Sequence, residues 1–471
     1  MNKWSILILF FFVGFTANGQ EEWTLQWCIN YAWENNLSIK QGELNVDFAE
    51  IDKAQSLHNR YPSLSANSSL NSNFGRTIDP VTNEFITENF VSNNISLSSG
   101  IVVFNGFRIS NAIKQARVDE ASAKYDVEQL KRDVALTVAN NYLGVLFAEE
   151  NLNIAQSQKE SITEQRDQIQ KLINAGVRPA NDVLDLEAQL ANNEQSIITA
   201  ENNRQIALLN LKQSMQLDPE VEMQLIRPGD VKLNYDPDEL TFNQVYAKSL
   251  STQPQILSNE MRVESAVLGK KMAQAGLLPS ISAGASLGTN YSNKGRFIDG
   301  FTTQIVEQDV LINNQTVTIG TEQQIPNYVD NPYFDQLNDN LSYGVGVSLQ
   351  IPIYNNYSNQ LNVQRSKVNI ELAQIQLDQT KNQLKTTVQQ ALADARASKR
   401  KLAATQKALE AQQAAFDNAE KNYNAGAINS FEFRIQRNNL QQAEVNELIA
   451  KYEYLFALKV LDFYMGEKID I

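Results

Sequence analysis

Two stretches of this chain repeat each other 250 residues apart without a gap. Asn174-Ala175-Gly176 recurs as Asn424-Ala425-Gly426, and the same spacing aligns Val118 with Val368, Lys131 with Lys381, Thr137-Val138 with Thr387-Val388, Glu160 with Glu410 and Glu194 with Glu444. One inserted residue turns every later side chain of a helix by about 100° and ruins a packed face. A long duplication free of insertions therefore predicts long helices packed along their whole length.

Upstream the halves match with another spacing. Tyr61-Pro62-Ser63-Leu64-Ser65-Ala66 corresponds to Leu278-Pro279-Ser280-Ile281-Ser282-Ala283, an offset of 217, which places 33 extra residues in the second half between Ala283 and Ser348. Each half reads as helix, strand, loop, strand, long helix, turn, helix. The first repeat, 20–243, carries helices at about 36–60, 107–174 and 181–215, strands at about 62–74 and 92–104, and a proline-marked link at 217–243. The second repeat, 244–471, carries helices at about 253–277, 357–424 and 430–465 and strands at about 279–291 and 341–353. Asn105-Gly106 and Asn355-Asn356 stand before the long helices, where an Asn side chain accepts a bond from an orphan helix N–H. At 1.5 Å per residue each long helix runs roughly 100 Å, and the shorter helices on the return path add up to nearly the same length.

The four strands alternate over ten or more residues. Leu341, Tyr343, Val345, Val347, Leu349 and Ile351 interleave with Ser342, Gly344, Gly346, Ser348 and Gln350; Ile95, Leu97, Ile101 and Val103 interleave with Ser96, Ser98 and Gly100. The polar face is Ser, Gly, Asn and Gln with few charges, the pattern of a transmembrane β-barrel that is apolar toward lipid and polar toward a water-filled lumen. Four strands cannot close a barrel, and open edges cannot sit in lipid, so the barrel must be shared between chains. Two chains give eight strands, whose interior side chains fill; three give twelve strands and room for a pore.

Composition excludes other classes. One histidine, His58, and one cysteine, Cys28, leave no metal cluster, internal disulfide or His-based nucleophile scheme, and no Gly-rich phosphate loop occurs, so no cofactor and no enzyme activity are expected. Forty basic against 54 acidic residues give a net charge of −14, which disfavours nucleic acid as a partner. Lys3, the apolar run Ile6–Phe15 and the small residues Ala17-Asn18-Gly19 read as a secretory signal peptide over 1–19.

In this order and spacing the features resemble the TolC family of outer-membrane efflux and secretion channels. The resemblance is carried by the duplication, the junctions Val103-Phe104-Asn105-Gly106 and Ile353-Tyr354-Asn355-Asn356, the two Asn-Ala-Gly turns, and Asp182-Val183-Leu184-Asp185 after the first turn. Trp23-Thr24-Leu25-Gln26-Trp27-Cys28 and Leu461-Asp462-Phe463-Tyr464 resemble the family's Bacteroidota members. The resemblance implies an α+β membrane protein: a homotrimer whose twelve-stranded outer-membrane β-barrel, four strands per chain, continues as a periplasmic α-helical barrel. It implies outer-membrane lipid around the barrel, a periplasmic adaptor (membrane fusion) protein at the hairpin tips, and an inner-membrane transporter of the RND, ABC or MFS type. It also implies passive conduction as the exit duct of a tripartite efflux pump or type I secretion system.

The family closes its tunnel at the second hairpin with carboxylate rings, a tyrosine and an arginine. Tyr423 and Glu432 match that pattern, while Ile428 and Ile435 take other charged positions and Arg178, Asp182 and Asp185 carry the charged spacing in the first half instead. These five, Tyr423, Glu432, Arg178, Asp182 and Asp185, are the candidate periplasmic gate. Asp182 and Asp185 read equally as a solvated i, i+3 acidic pair near a helix N-terminus. Phe431 and Phe433 read as packing residues. Gly176, Val177, Arg178, Gly426, Ala427 and Ile428 are the candidate adaptor-contacting tips. Residues 292–340 read as an external loop whose segment Gln304–Gly320 alternates as a hairpin around Asn313-Asn314. A competing reading is a periplasmic coiled-coil structural or adaptor protein, which needs the helices but not four lipid-compatible strands.

Overall fold

A computed structural model describes residues 23–78, 83, 85–87, 89–227, 236–312 and 315–467 of the chain. The segment read as a signal peptide lies outside the described residues. The helices are α1 (Leu25–Asn35), α2 (Leu37–His58), α3 (Arg108–Asn174), α4 (Asp182–Met215), α5 (Phe242–Thr252), α6 (Pro254–Ala275), α7 (Tyr333–Asp339), α8 (Ser358–Asn424) and α9 (Ser430–Met465). The strands are β1 (Ser63–Asn73), β2 (Thr77–Ile78), β3 (Phe85–Ile86), β4 (Phe90–Asn105), β5 (Ser280–Ser292), β6 (Arg296–Ile312), β7 (Gln315–Asp330) and β8 (Ser342–Gln350). The chain divides into two compact units, and each mixes both sequence halves: one holds Met1–Ala49, Asp119–Val263 and Leu372–Ile471, the other Glu50–Val118 and Glu264–Glu371.

In the first unit the duplication is visible atom by atom. α3 and α8 are both 67 residues long and end at the equivalent residues Asn174 and Asn424. Val138 and Val388, and Leu211 and Leu461, are fully buried at equivalent positions, and so are Cys28 and Val245 at the other offset. Lys131 pairs with Glu43 at 3.0 Å and its equivalent Lys381 with Glu260 at 3.6 Å, tying each short helix to its long one. Two cores result, one around Tyr142, Leu211 and Ile29, the other around Val388, Leu461 and Ile256. The buried Tyr142 hydroxyl donates to the Trp23 carbonyl at 3.0 Å and to the Ile226 carbonyl. The proline-marked link is held by α8: Lys399 Nζ lies 2.6 Å from carboxylate oxygens of both Asp236 and Asp238, and Arg396 donates to the carbonyls of Pro237 and Leu240.

Where one helix was expected at the start of each half, two are found. Thr24 caps α1 through the Trp27 N–H, and Asn36 then interrupts the helix in an extended conformation, its side chain accepting from Ser38 N at 2.9 Å to restart it. Gln253 plays the equivalent part before Pro254, because the residue preceding a proline avoids the helical region. The side-chain amides of both joints donate to last-turn carbonyls of a return helix, Asn36 to Ser214 O at 3.3 Å and Gln253 to Tyr464 O at 3.0 Å. This is the end-to-end junction of the return path: α4 meets α1–α2, and α9 meets α5–α6.

In the second unit the four predicted strands form one antiparallel sheet in the order β1-β4-β5-β8. Strand β8 ends at Gln350 rather than about 353, because Pro352 has no N–H to give the ladder. The long helices begin three residues after Asn105 and Asn355, across the left-handed pairs Gly106-Phe107 and Asn356-Tyr357, whose φ values lie between 54° and 66°. Gly106 is required there: a Cβ would lie 2.9 Å from the Ala275 carbonyl oxygen. Asn105 Oδ1 still accepts from a helix N–H, that of Ile109, at 3.3 Å. Among the described residues two further ribbons lie outside that four-stranded sheet. β2 pairs with β3, and the insert contributes the hairpin β6–β7, longer than its alternating core at 304–320 because pairing continues from Arg296–Asp330 inward. Asn313 and Asn314 fall outside the described residues.

Burial pushes the Cys28 thiol from its ordinary 9.0 up to about 12, since the core cannot solvate a thiolate. A thiol with a raised folded-state value stabilises the fold below the ordinary thiol range and loses that contribution as pH rises toward 12. Native protein should therefore not react with a colourimetric disulfide reagent at pH 8, and unfolded protein should react stoichiometrically; thermal stability should begin to fall above about pH 9 in wild type and less so in Cys28→Ala.

Candidate functional site

The sheet is the first functional element, and its register decides what its faces are. Ala66, Leu97, Leu287 and Tyr343 stand side by side across β1, β4, β5 and β8; the next rows are Leu64, Ser99, Ala285 and Val345, then Ile101, Ala283 and Val347. The opposite face runs Ser65, Ser98, Ser286 and Gly344, then Ser63, Gly100, Gly284 and Gly346. Because side chains alternate with period two, a one-residue slip would scatter both sets. The small face is stitched by hydroxyls, as in the 2.8 Å contact between Ser65 Oγ and Ser98 Oγ. The apolar face is open: Val345 is 90% exposed and Val347 76% in the single chain.

One expectation is corrected. Strict alternation puts Val103 on the apolar face with Ile101, but a bulge follows Val102, so that Phe104 rather than Val103 pairs with Ile281. An extra residue in one strand shifts its alternation by one, which keeps Phe104 on the apolar face.

Aromatic pairs flank the sheet at both ends, which strand alternation by itself does not reveal. His58 with Tyr61, Phe104 with Phe107 and Tyr354 with Tyr357 gather at one end, with ring centroids 5.4–5.9 Å apart and nearly perpendicular planes. Tyr291, Tyr333 and Phe334 gather at the other, with centroids 4.7 and 5.3 Å apart. Tyr61, Phe107, Tyr354, Tyr357, Tyr333 and Phe334 stand outside the alternating runs, whereas Phe104 and Tyr291 lie at the ends of β4 and β5. His58, solvated at a helix end, contributes to one belt.

The second element is the pair of hairpin turns between α3 and α4 and between α8 and α9. Gly176 and Gly426 adopt φ of +75° and +72°, and both turns close with the same two bonds: Gly176 N to Ile173 O and Val177 N to Leu172 O, Gly426 N to Tyr423 O and Ala427 N to Asn422 O. This is a glycine-dependent helix stop that satisfies orphan carbonyls. It leaves Gly176, Val177, Arg178, Gly426 and Ala427 exposed and Ile428 half-buried.

The turns differ in how the next helix starts. Asn429 caps α9, its side chain accepting from Glu432 N at 2.9 Å, whereas Asn181 makes no such bond to α4. Among the candidate gate residues, Tyr423 stacks on Phe433 at 4.8 Å with planes 13° apart, and Phe433 also packs on Phe416 at 5.5 Å. Glu432 is exposed in the first turn of α9. Asp182 opens α4, with its side chain outside those described, and Asp185 and Arg178 are exposed. The five residues are thus divided between two hairpins, and within one chain only Tyr423 is built into an aromatic cluster. Phe433 is a packing residue as expected, but Phe431 is 57% exposed, with the Arg434 guanidinium 5.2 Å above its ring. Burial lowers the Arg434 pKa. The Phe–Arg spacing of three residues is the signal that points to this contact. Arg437 reaches Glu164 at 3.3 Å and joins α9 to α3.

A family model described as "Outer membrane efflux protein" matches residues 28–215 and 245–467, both halves of the duplication. The chain is similar to the outer membrane protein TolC of Escherichia coli (strain K12), with 24% identity over 241 residues, 50% of this chain; the match spans only 46% of that relative's length. Its fold matches the crystal structure of the Campylobacter jejuni CmeC outer membrane channel with a TM-score of 0.72 at 16% identity, covering 95% of this chain and 87% of that one. It also matches the outer membrane protein VceC from Vibrio cholerae with a TM-score of 0.71 at 13% identity, covering 95% and 97%.

Asn429→Ala should cost about 1 kcal/mol at the start of α9 and speed amide hydrogen exchange over residues 430–434, because it removes a working N-cap. Asn181→Ala should leave exchange at the start of α4 unchanged.

Proposed function

The chain belongs to the outer membrane efflux protein family, and from that premise we propose that it is the outer-membrane exit duct of an export machine, an efflux pump or a type I secretion system. One observation carries the proposal: a four-stranded sheet whose apolar rows are in register, exposed, and bounded by aromatic belts. In water such a face aggregates; against lipid it is the required surface, and the belts sit where membrane meets water. β1 and β8 are edges, and lipid offers their N–H and C=O groups nothing. Three copies joined edge to edge supply twelve strands, and the Ser, Gly and Asn face lines the resulting lumen. The helices then form the periplasmic part of the duct, and the exposed hairpin tips meet a periplasmic adaptor linked to an inner-membrane transporter. The chain contributes the passage and the transporter the energy.

Val345→Arg should prevent outer-membrane assembly, as a cation facing lipid near the midplane costs about 2–4 kcal/mol. Ser348→Arg, on the other face, should assemble and alter ion selectivity. A soluble protein would tolerate both, so normal yield and function of Val345→Arg would refute the proposal; membrane fractionation and heat-modifiable gel mobility give the readout.

For the gate, the family pattern at Tyr423 and Glu432 and the ordered packing of Tyr423 favour the second hairpin. Tyr423→Phe combined with Glu432→Gln should raise single-channel conductance in planar bilayers and sensitise cells to antibiotics. Unchanged conductance would remove these residues from the constriction.

A further inference from the structure

The hairpin β6–β7 is a long two-stranded ribbon. Its strands pair from Arg296–Asp330 to Ile312–Gln315, and among the described residues no other element packs along it comparably. Its base is fixed. Gln336, 1% exposed, accepts from Ser292 N at 3.0 Å and donates to Ser292 O at 2.9 Å and Asn331 O at 2.7 Å; Asn331 N donates to Gly295 O at 2.9 Å; and Tyr333 hydrogen-bonds Asn93 at 2.9 Å. The ribbon therefore leaves the sheet through a rigid neck.

Its two faces differ in charge. Between Thr302 and Ile325 one face carries Val306, Val310, Val317, Ile319 and Ile325 among Thr and Gln, with no charged residue. The other carries Glu307, Asp309 and Glu322, with the exposed Ile305 and Leu311 among them. An isolated two-stranded ribbon is marginal in water, and an uncharged aliphatic face needs cover.

We propose that the cover is a second copy of this chain: in the trimer, the uncharged faces of the three β6–β7 hairpins pack together beyond the barrel mouth, with the carboxylate faces outward. The inference rests on the trimer of the proposed function. There, closed symmetry brings three rigidly based hairpins to the same end at high effective concentration. Charge favours this orientation, because the reverse one would press nine carboxylates, three from each copy, against one another.

Single cysteines test it, since the native Cys28 is buried and silent. Val317→Cys and Glu322→Cys are made in the full-length chain and purified in detergent. A polyethylene-glycol maleimide should modify Val317→Cys about tenfold more slowly than Glu322→Cys, the signature of a protected site. A short bismaleimide should join copies through Val317→Cys and not through Glu322→Cys. Equal labelling rates overturn the proposal, and so does protection at 317 without cross-linked copies, because the cover would then be something other than this chain. Val310→Cys, opposite Val317, serves if Val317→Cys fails to fold. The size of unlabelled wild-type protein reports on the trimer separately: a monomeric wild type refutes the proposed function, whereas a trimer with freely labelled 317 refutes the hairpin packing alone.

Discussion

A strand in lipid must find every hydrogen-bond partner inside the protein, and a sheet of four strands leaves two edges without one. In the proposed setting this constraint orders the rest of the structure. It makes the single chain an incomplete object and fixes the number of copies as the smallest that leaves a lumen. It also explains why β1 and β8 remain extended and regular, free of the proline and charge that edges of soluble sheets use to discourage pairing. These edges are built to be paired.

The duplication meets a second constraint by the same economy of means. A long helix exposes orphan groups only at its ends, and both ends of each long helix are treated alike: a left-handed residue pair where the strand passes into helix, and a glycine-dependent stop where the helix turns back. The return path is broken at Asn36 and Gln253, and at each break an amide side chain bonds the last turn of the abutting helix. The two halves differ where function has room to differ. One tip has a capped return helix and an aromatic cluster around Phe433; the other has neither the cap nor those rings.

Much of this was legible in the residue order. The gap-free offset predicted α3 and α8 to within a residue because helix packing tolerates no insertion, and the alternation of Leu, Val and Tyr with Ser and Gly found β1, β4, β5 and β8 because a two-faced sheet imposes it. The candidate gate was less legible. Tyr423 could be placed by pattern, but its stacking on Phe433 depends on how two helices cross, and Arg434 over Phe431 depends on rotamers that spacing only permits. The helices after Asn36 and Gln253 are placed by pattern from about 36 and 253, but α1 and α5 ahead of those breaks, only 11 residues each, are not read from it.

The sequence by itself determined which residues share a face, how long the helices run and that the chain is built twice, because these follow from periods of 2.0 and 3.6 residues and from their exact repetition. Only the tertiary structure decided the register that aligns the apolar rows across four strands, the bulge after Val102 that keeps Phe104 in phase, and the neck at Gln336 that fixes the β6–β7 hairpin. Each joins residues far apart in the chain, and a local pattern carries no information on which distant partner a strand or an amide will find.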